Sequence, residues 1–234
     1  MFLLAPLAVE VPAGAGPWRP RLARACAALV VVVFLAERLA AAGAFPEWLT
    51  RSVLLAGAQA RLYADPALFL PHQLWTATVM QSGWWELAAV VWGLLVPVAA
   101  LERRCGPLVL AAVLLALAPL VSAGHLALPS PLAEPGGDGI ILGLMAVGGV
   151  VLPGARIRWG VGWWLVAVAG FRALPATVSW SGALLAFALQ ASLCQGYQGS
   201  NALAEALASI AALLLGSAAG LLIARQARSA APSI

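Results

Sequence analysis

Gly136-Gly137-Asp138-Gly139-Ile140-Ile141-Leu142-Gly143-Leu144 is the stretch on which the reading of this chain turns. Two glycines interrupt whatever precedes them. The aspartate then suits a helix start, where a carboxylate accepts from orphan backbone N–H groups and meets the positive end of the dipole. An apolar run follows at once, so a helix is expected from Asp138. Gly139 and Gly143 are one turn apart on one face, the spacing that lets a second helix approach closely in a membrane. The run over 138–153 is shorter than the ~20 residues of a simple span. Such a segment can start inside a protein, facing a cavity, because only lipid-exposed backbone must satisfy itself.

The rest of the chain gives that helix its setting. Of 234 residues, 63% are hydrophobic and 9% are charged, and the mean hydropathy is +0.95. A soluble domain of this size cannot hide so much apolar surface, which predicts an all-α, polytopic membrane protein. All 13 basic residues are arginine. The net charge of +4 is spread over the flanks of apolar runs, without the basic, aromatic-interleaved patch of a nucleic-acid binder. Expected partners are therefore membrane lipids and a transmembrane protein, and no nucleic acid.

Apolar runs place candidate spans at 25–44, 80–101, 106–124, 138–153, 159–176, 178–195 and 202–224. Residues 1–24 read as a cytoplasmic segment, 25–200 as a six-helix core, and 201–234 as an additional helix and tail. Residues 45–79 hold Pro46, Pro66 and Pro71 and read as a loop lying in the interface. Arginines near Arg19–Arg24, Arg103-Arg104 and Arg156/Arg158 fall on one side, assigned to the cytoplasm. A seventh crossing would then put Arg225 and Arg228 outside, against that trend. Trp18, Trp159, Trp163 and Trp164 map to the arginine side. Trp48, Trp75, Trp84, Trp85 and Trp180 map to the other, as an indole belt would. Cys26, Cys105 and Cys194 lie near the cytoplasmic ends of spans and are expected as free thiols. No cofactor or metal is expected. The localisation that follows is the bacterial cytoplasmic membrane, with the N-terminus inside.

From residue 71 to 187 the order of features resembles the rhomboid superfamily of intramembrane serine proteases. Pro71-His72-Gln73-Leu74-Trp75-Thr76 is similar to the entry into the second helix. Gln81-Ser82-Gly83-Trp84-Trp85-Glu86 is similar to the stretch that carries two family histidines, at Gln81 and Glu86. Val90 stands at the family asparagine, one of the polar residues around the oxyanion site. Leu101-Glu102-Arg103-Arg104-Cys105-Gly106 matches the ExxxG signature through Glu102 and Gly106. Gly136, Gly139 and Gly143 match the GxSGxxxG pattern, with Asp138 in the serine position. Val178 to Phe187 resembles the sixth helix, and its general-base histidine maps to Ala183, or in another register to Trp180.

The resemblance implies a rhomboid-like bundle of six or seven helices and, residue by residue, no serine chemistry. A serine nucleophile needs a base within reach and donors for the oxyanion. Nucleophile, base and oxyanion donors are all replaced, and His72 and His125 both lie in outer-side loops. A pseudoprotease that binds transmembrane helices, as an accessory, assembly or quality-control factor or a subunit of a complex, is the implied function. The alternative is a divergent protease using Glu86 and Asp138, two carboxylates that would share a proton if they faced each other. A third is a small transporter with Glu37, Glu86 and Asp138 along a polar path, though no internal repeat is visible.

Overall fold

Ala23, Ala27, Val30 and Phe34 recur at helical spacing and are buried, while Leu29, Val32, Leu35 and Leu39 point outward. This stripe makes α1 (Leu22–Ala41) a helix apolar on both faces. The computed structural model describes residues 2–10, 19–44, 71–81, 83–126, 137–152, 154–163, 172–180, 182, 184 and 202–229.

The buried face of α1 packs on a rod made of α3 (Trp84–Gly93), a π-turn (Leu94–Val98) and α4 (Ala99–Cys105). Pro97 lies inside the π-turn. Proline has no N–H to return to the preceding turn and its ring crowds that carbonyl, which the wider turn accommodates. The rod therefore runs on without a break for about 33 Å, at ~1.5 Å per residue. Before it, a short α2 (Gln73–Thr76) and a 3₁₀ turn (Ala77–Val79) lie against α5 (Pro107–Leu126). Trp75 Nε1 donates to the Leu115 carbonyl at 3.0 Å and Ser122 Oγ to the Leu74 carbonyl at 2.7 Å.

The helix expected from the glycine-rich stretch is α6 (Asp138–Val151), whose residues Ile140 to Val147 are all buried. It lies at the centre, in contact with the rod, with α5 and with the long α7 (Ala202–Ser229).

The chain is mostly helical, with one departure. Candidate span 159–176 is not a helix where it is described. Arg156–Trp163 (β2) and Arg172–Ser179 (β3) are strands, and with Phe2–Glu10 (β1) they form an antiparallel sheet of order β1-β2-β3. Hydropathy sees only apolar content and is blind to period. Arg-Ile-Arg-Trp-Gly-Val-Gly-Trp alternates, with Arg156 exposed and Ile157 buried, as a strand does. The two prolines, Pro6 and Pro175, fall on the edge strands beside register shifts, where a missing N–H is tolerated.

Among the described residues no helix is long and apolar enough by itself to cross a membrane. α1 carries Arg24, Glu37 and Arg38, α3 and α4 taken singly have 10 and 7 residues, and α6 has 14. Of the interface loop, residues 45–70 lie outside the described residues, as does most of 178–195.

Candidate functional site

Gly137 ends the approach to α6 in a confined place. A Cβ there would lie 2.8 Å from Gln81 Nε2 and 3.0 Å from both Val90 methyls, so a larger residue would have to push these side chains aside. The extended backbone after the 3₁₀ turn delivers Gln81, and the second turn of α3 delivers Val90. Both are buried. Three positions singled out in the sequence, Gln81, Val90 and the start of the Asp138 helix, are thus in one place. Glu86 belongs to the first turn of α3, one turn before Val90 on the same face, and is half-buried. Asp138 is the first residue of α6; its side chain lies outside what is described, as do Gly136 and Ala183.

Gln81 is the unusual member. It is 4% exposed, and neither Nε2 nor Oε1 has a hydrogen-bond partner among the described residues. A buried amide in that state costs about 1–3 kcal/mol for each unsatisfied group.

Glu102 is the opposite case, a buried carboxylate with every bond made. Its Oε1 accepts from the backbone N–H of Arg21 (2.9 Å) and Leu22 (3.0 Å), and its Oε2 from that of Ala23 (2.8 Å). α1 has no acidic residue in its first turn and no side-chain cap of its own. A residue some eighty positions away therefore caps it, and joins the start of α1 to the end of α4. Gly106 completes the motif. At φ +83° it ends α4 in the left-handed region, and its N–H returns to the Glu102 carbonyl at 2.8 Å.

Trp180 does not approach Asp138. Its indole N–H donates to the Met145 carbonyl at 2.5 Å and its ring fills the notch left by Gly148. Met145 is about 10 Å beyond Asp138 along α6 at 1.5 Å per residue. Trp180 packs against the second half of α6, away from its start. It also lies beside β3 and Arg156, the end of the molecule opposite to the one its place in an indole belt implied.

Gly182 and Ala186 also have small-xxx-small spacing in the sequence, but Gly143 meets α7. A Cβ on Gly216 would overlap the Gly143 carbonyl, one on Gly220 would lie 2.9 Å from Val150 Cβ, and one on Gly143 would lie 3.3 Å from the Ala212 carbonyl. Gly182 is half-buried, and Ala186 is outside the described residues. The signal was present as Gly216-Ser217-Ala218-Ala219-Gly220, a GxxxG in an apolar helix.

No protein-family model matches the chain, and no curated protein matches it.

Among the described residues no group of three or more His, Cys, Asp or Glu could hold a metal ion. His72 is exposed at the start of α2, and the Cys26 and Cys105 thiols are free. The site chemistry is that of a confined helix start, one carboxylate on the facing helix and one buried amide able both to donate and to accept.

Proposed function

We propose that this is an integral membrane protein with a rhomboid-like helical core and no serine-protease chemistry, which holds a transmembrane segment of a partner protein. The observation that carries the reading is the closure around Gly137. Where a protease would set an imidazole against the nucleophile's helix, Val90 and the Gln81 amide are packed, and an amide can donate to an oxyanion but cannot take a proton from a nucleophile.

Membrane residence rests on the exterior. Leu29, Val32, Leu108, Leu115, Leu214, Leu221 and Leu222 are all at least half exposed, on α1, α5 and α7. So many aliphatic side chains left half exposed favour a lipid surround over water. The rod of about 33 Å matches a hydrocarbon core of ~30 Å.

Two measurements test the function. Purification from native membranes in a mild detergent, followed by mass spectrometry, should show a stoichiometric membrane protein. Incubation with transmembrane substrates should give no cleavage by the unaltered chain, by Asp138→Ala or by Asp138→Asn. Cleavage that Asp138→Ala or Glu86→Gln abolishes would replace this reading with the divergent carboxylate protease, which the position of Glu86 one turn from Val90 makes the specific rival.

A further inference from the structure

Arg21 and Arg24 stand at the start of α1, where the helix dipole is positive and cations are unfavourable. Nothing in the helix accounts for them there. The three bonds to Glu102 bring them beside Arg103 and Arg104 at the end of α4. All four are exposed, as is Arg19. Glu102, between them, is fully buried, with both oxygens engaged by backbone N–H groups, so it is committed to capping. The protein thus spends a buried carboxylate on holding guanidinium groups from two distant segments at one end.

Apolar surface begins directly beside them. Leu108, two residues past Gly106, is 84% exposed, and Leu29 lies just over one turn beyond Arg24 and is 52% exposed. We propose that this end is a binding site for an anionic phospholipid. The phosphodiester is held by Arg21, Arg24, Arg103 and Arg104, and an acyl chain lies along Leu108 or Leu29. Guanidinium forks suit phosphate oxygens through paired, charge-assisted bonds. A free phosphate would use the same arginines but has no use for Leu108, so the juxtaposition of charge and exposed leucine favours the lipid. The proposal rests on the membrane residence argued above, not on the absence of proteolysis or the presence of a partner helix.

The test uses the purified full-length chain, incorporated into bilayer nanodiscs and also held in detergent for native mass spectrometry. Phosphatidylglycerol is compared with phosphatidylcholine, and inorganic phosphate is offered as competitor. Phosphatidylglycerol should bind in preference, and the preference should fall about fivefold per arginine removed, hence roughly 25-fold in Arg103→Gln/Arg104→Gln. Arg103→Lys/Arg104→Lys should retain most of it. Raising salt from about 50 mM to about 500 mM should weaken binding to the unaltered protein, a reading that needs no variant to fold. Equal binding of the two lipids, or full displacement by inorganic phosphate, would overturn the proposal while leaving membrane residence intact. A chain that fails to enter nanodiscs of any composition would overturn both.

Discussion

Two buried polar side chains, Gln81 and Glu102, have opposite standing, and their variants should show it. Glu102 saturates three backbone N–H groups from a fully buried position. Glu102→Ala leaves those donors orphaned and should lower stability by about 3 kcal/mol or more. Glu102→Gln keeps one acceptor and should lose less. Thermal unfolding in detergent reads both, and an unchanged midpoint for Glu102→Ala would refute the capping role. Gln81 saturates nothing among the described residues. Replacing it with an apolar residue of similar size removes an unmet polar group, so Gln81→Leu should be neutral or stabilising by about 1–2 kcal/mol. If the amide meets the backbone of a bound helix, the same variant should lose partner retention in the native purification while its unfolding midpoint holds or rises. A fall in both would mark Gln81 as a structural residue.

The contact between α6 and α7 is governed by glycine, so its prediction is steric. Gly216→Val drives a side chain into the Gly143 carbonyl, which as backbone cannot yield, and should cost at least the ~1–3 kcal/mol of ordinary overpacking. Gly83→Ala has nothing within 4 Å of the new Cβ, sits in extended backbone, and serves as the matched control. Equal unfolding midpoints for the two would refute close packing at Gly143. This contact also marks what was legible in the sequence. α1, the rod, α5 and α6 lie where long apolar runs put them, and the start of α6 at Asp138 was readable from two glycines and an acid. Glu102 and Gly106 were readable as a helix end, but which helix Glu102 would cap was not, because its partners are backbone groups some eighty residues away. Residues 159–176 misled because their apolar content was weighed before their alternation. Gly182 and Ala186 share the small-xxx-small spacing, which recurs widely in helix packing. Only the three-dimensional register selects Gly216 and Gly220.

At the scale of the whole molecule that register sets a polarity. Gly216 meets Gly143 and Gly220 meets the turn of Val147 and Val150, so α6 and α7 run parallel. α6 ends near Arg156, and therefore α7 brings Arg225 to the same end. Gly137 faces Val90 and Gly93 faces Ile141, so the rod runs parallel to α6 and α4 ends at this end as well; the capping bonds bring Arg21 and Arg24 to Arg103 and Arg104 there. Arg38, at the far end of α1, stands apart. Counting apolar runs sent Arg225 to the outside, against the trend of the other arginine clusters. The reason is that 159–176 was taken as a crossing, whereas its described residues form two strands that return the chain to Trp180 at the arginine end. With that crossing removed, arginine-rich ends gather on one side, the pattern that sets orientation in membranes. Single cysteines placed at Arg103, Arg225 and Thr76, in a background with Cys26, Cys105 and Cys194 changed to alanine, make this measurable with an impermeant maleimide. All three positions are exposed. The cysteines at 103 and 225 should label only in inside-out vesicles, and the one at 76 only in right-side-out vesicles. Labelling at 225 from the side opposite to 103 would mean that α7 runs antiparallel to α6, and the glycine register between them would have to be abandoned.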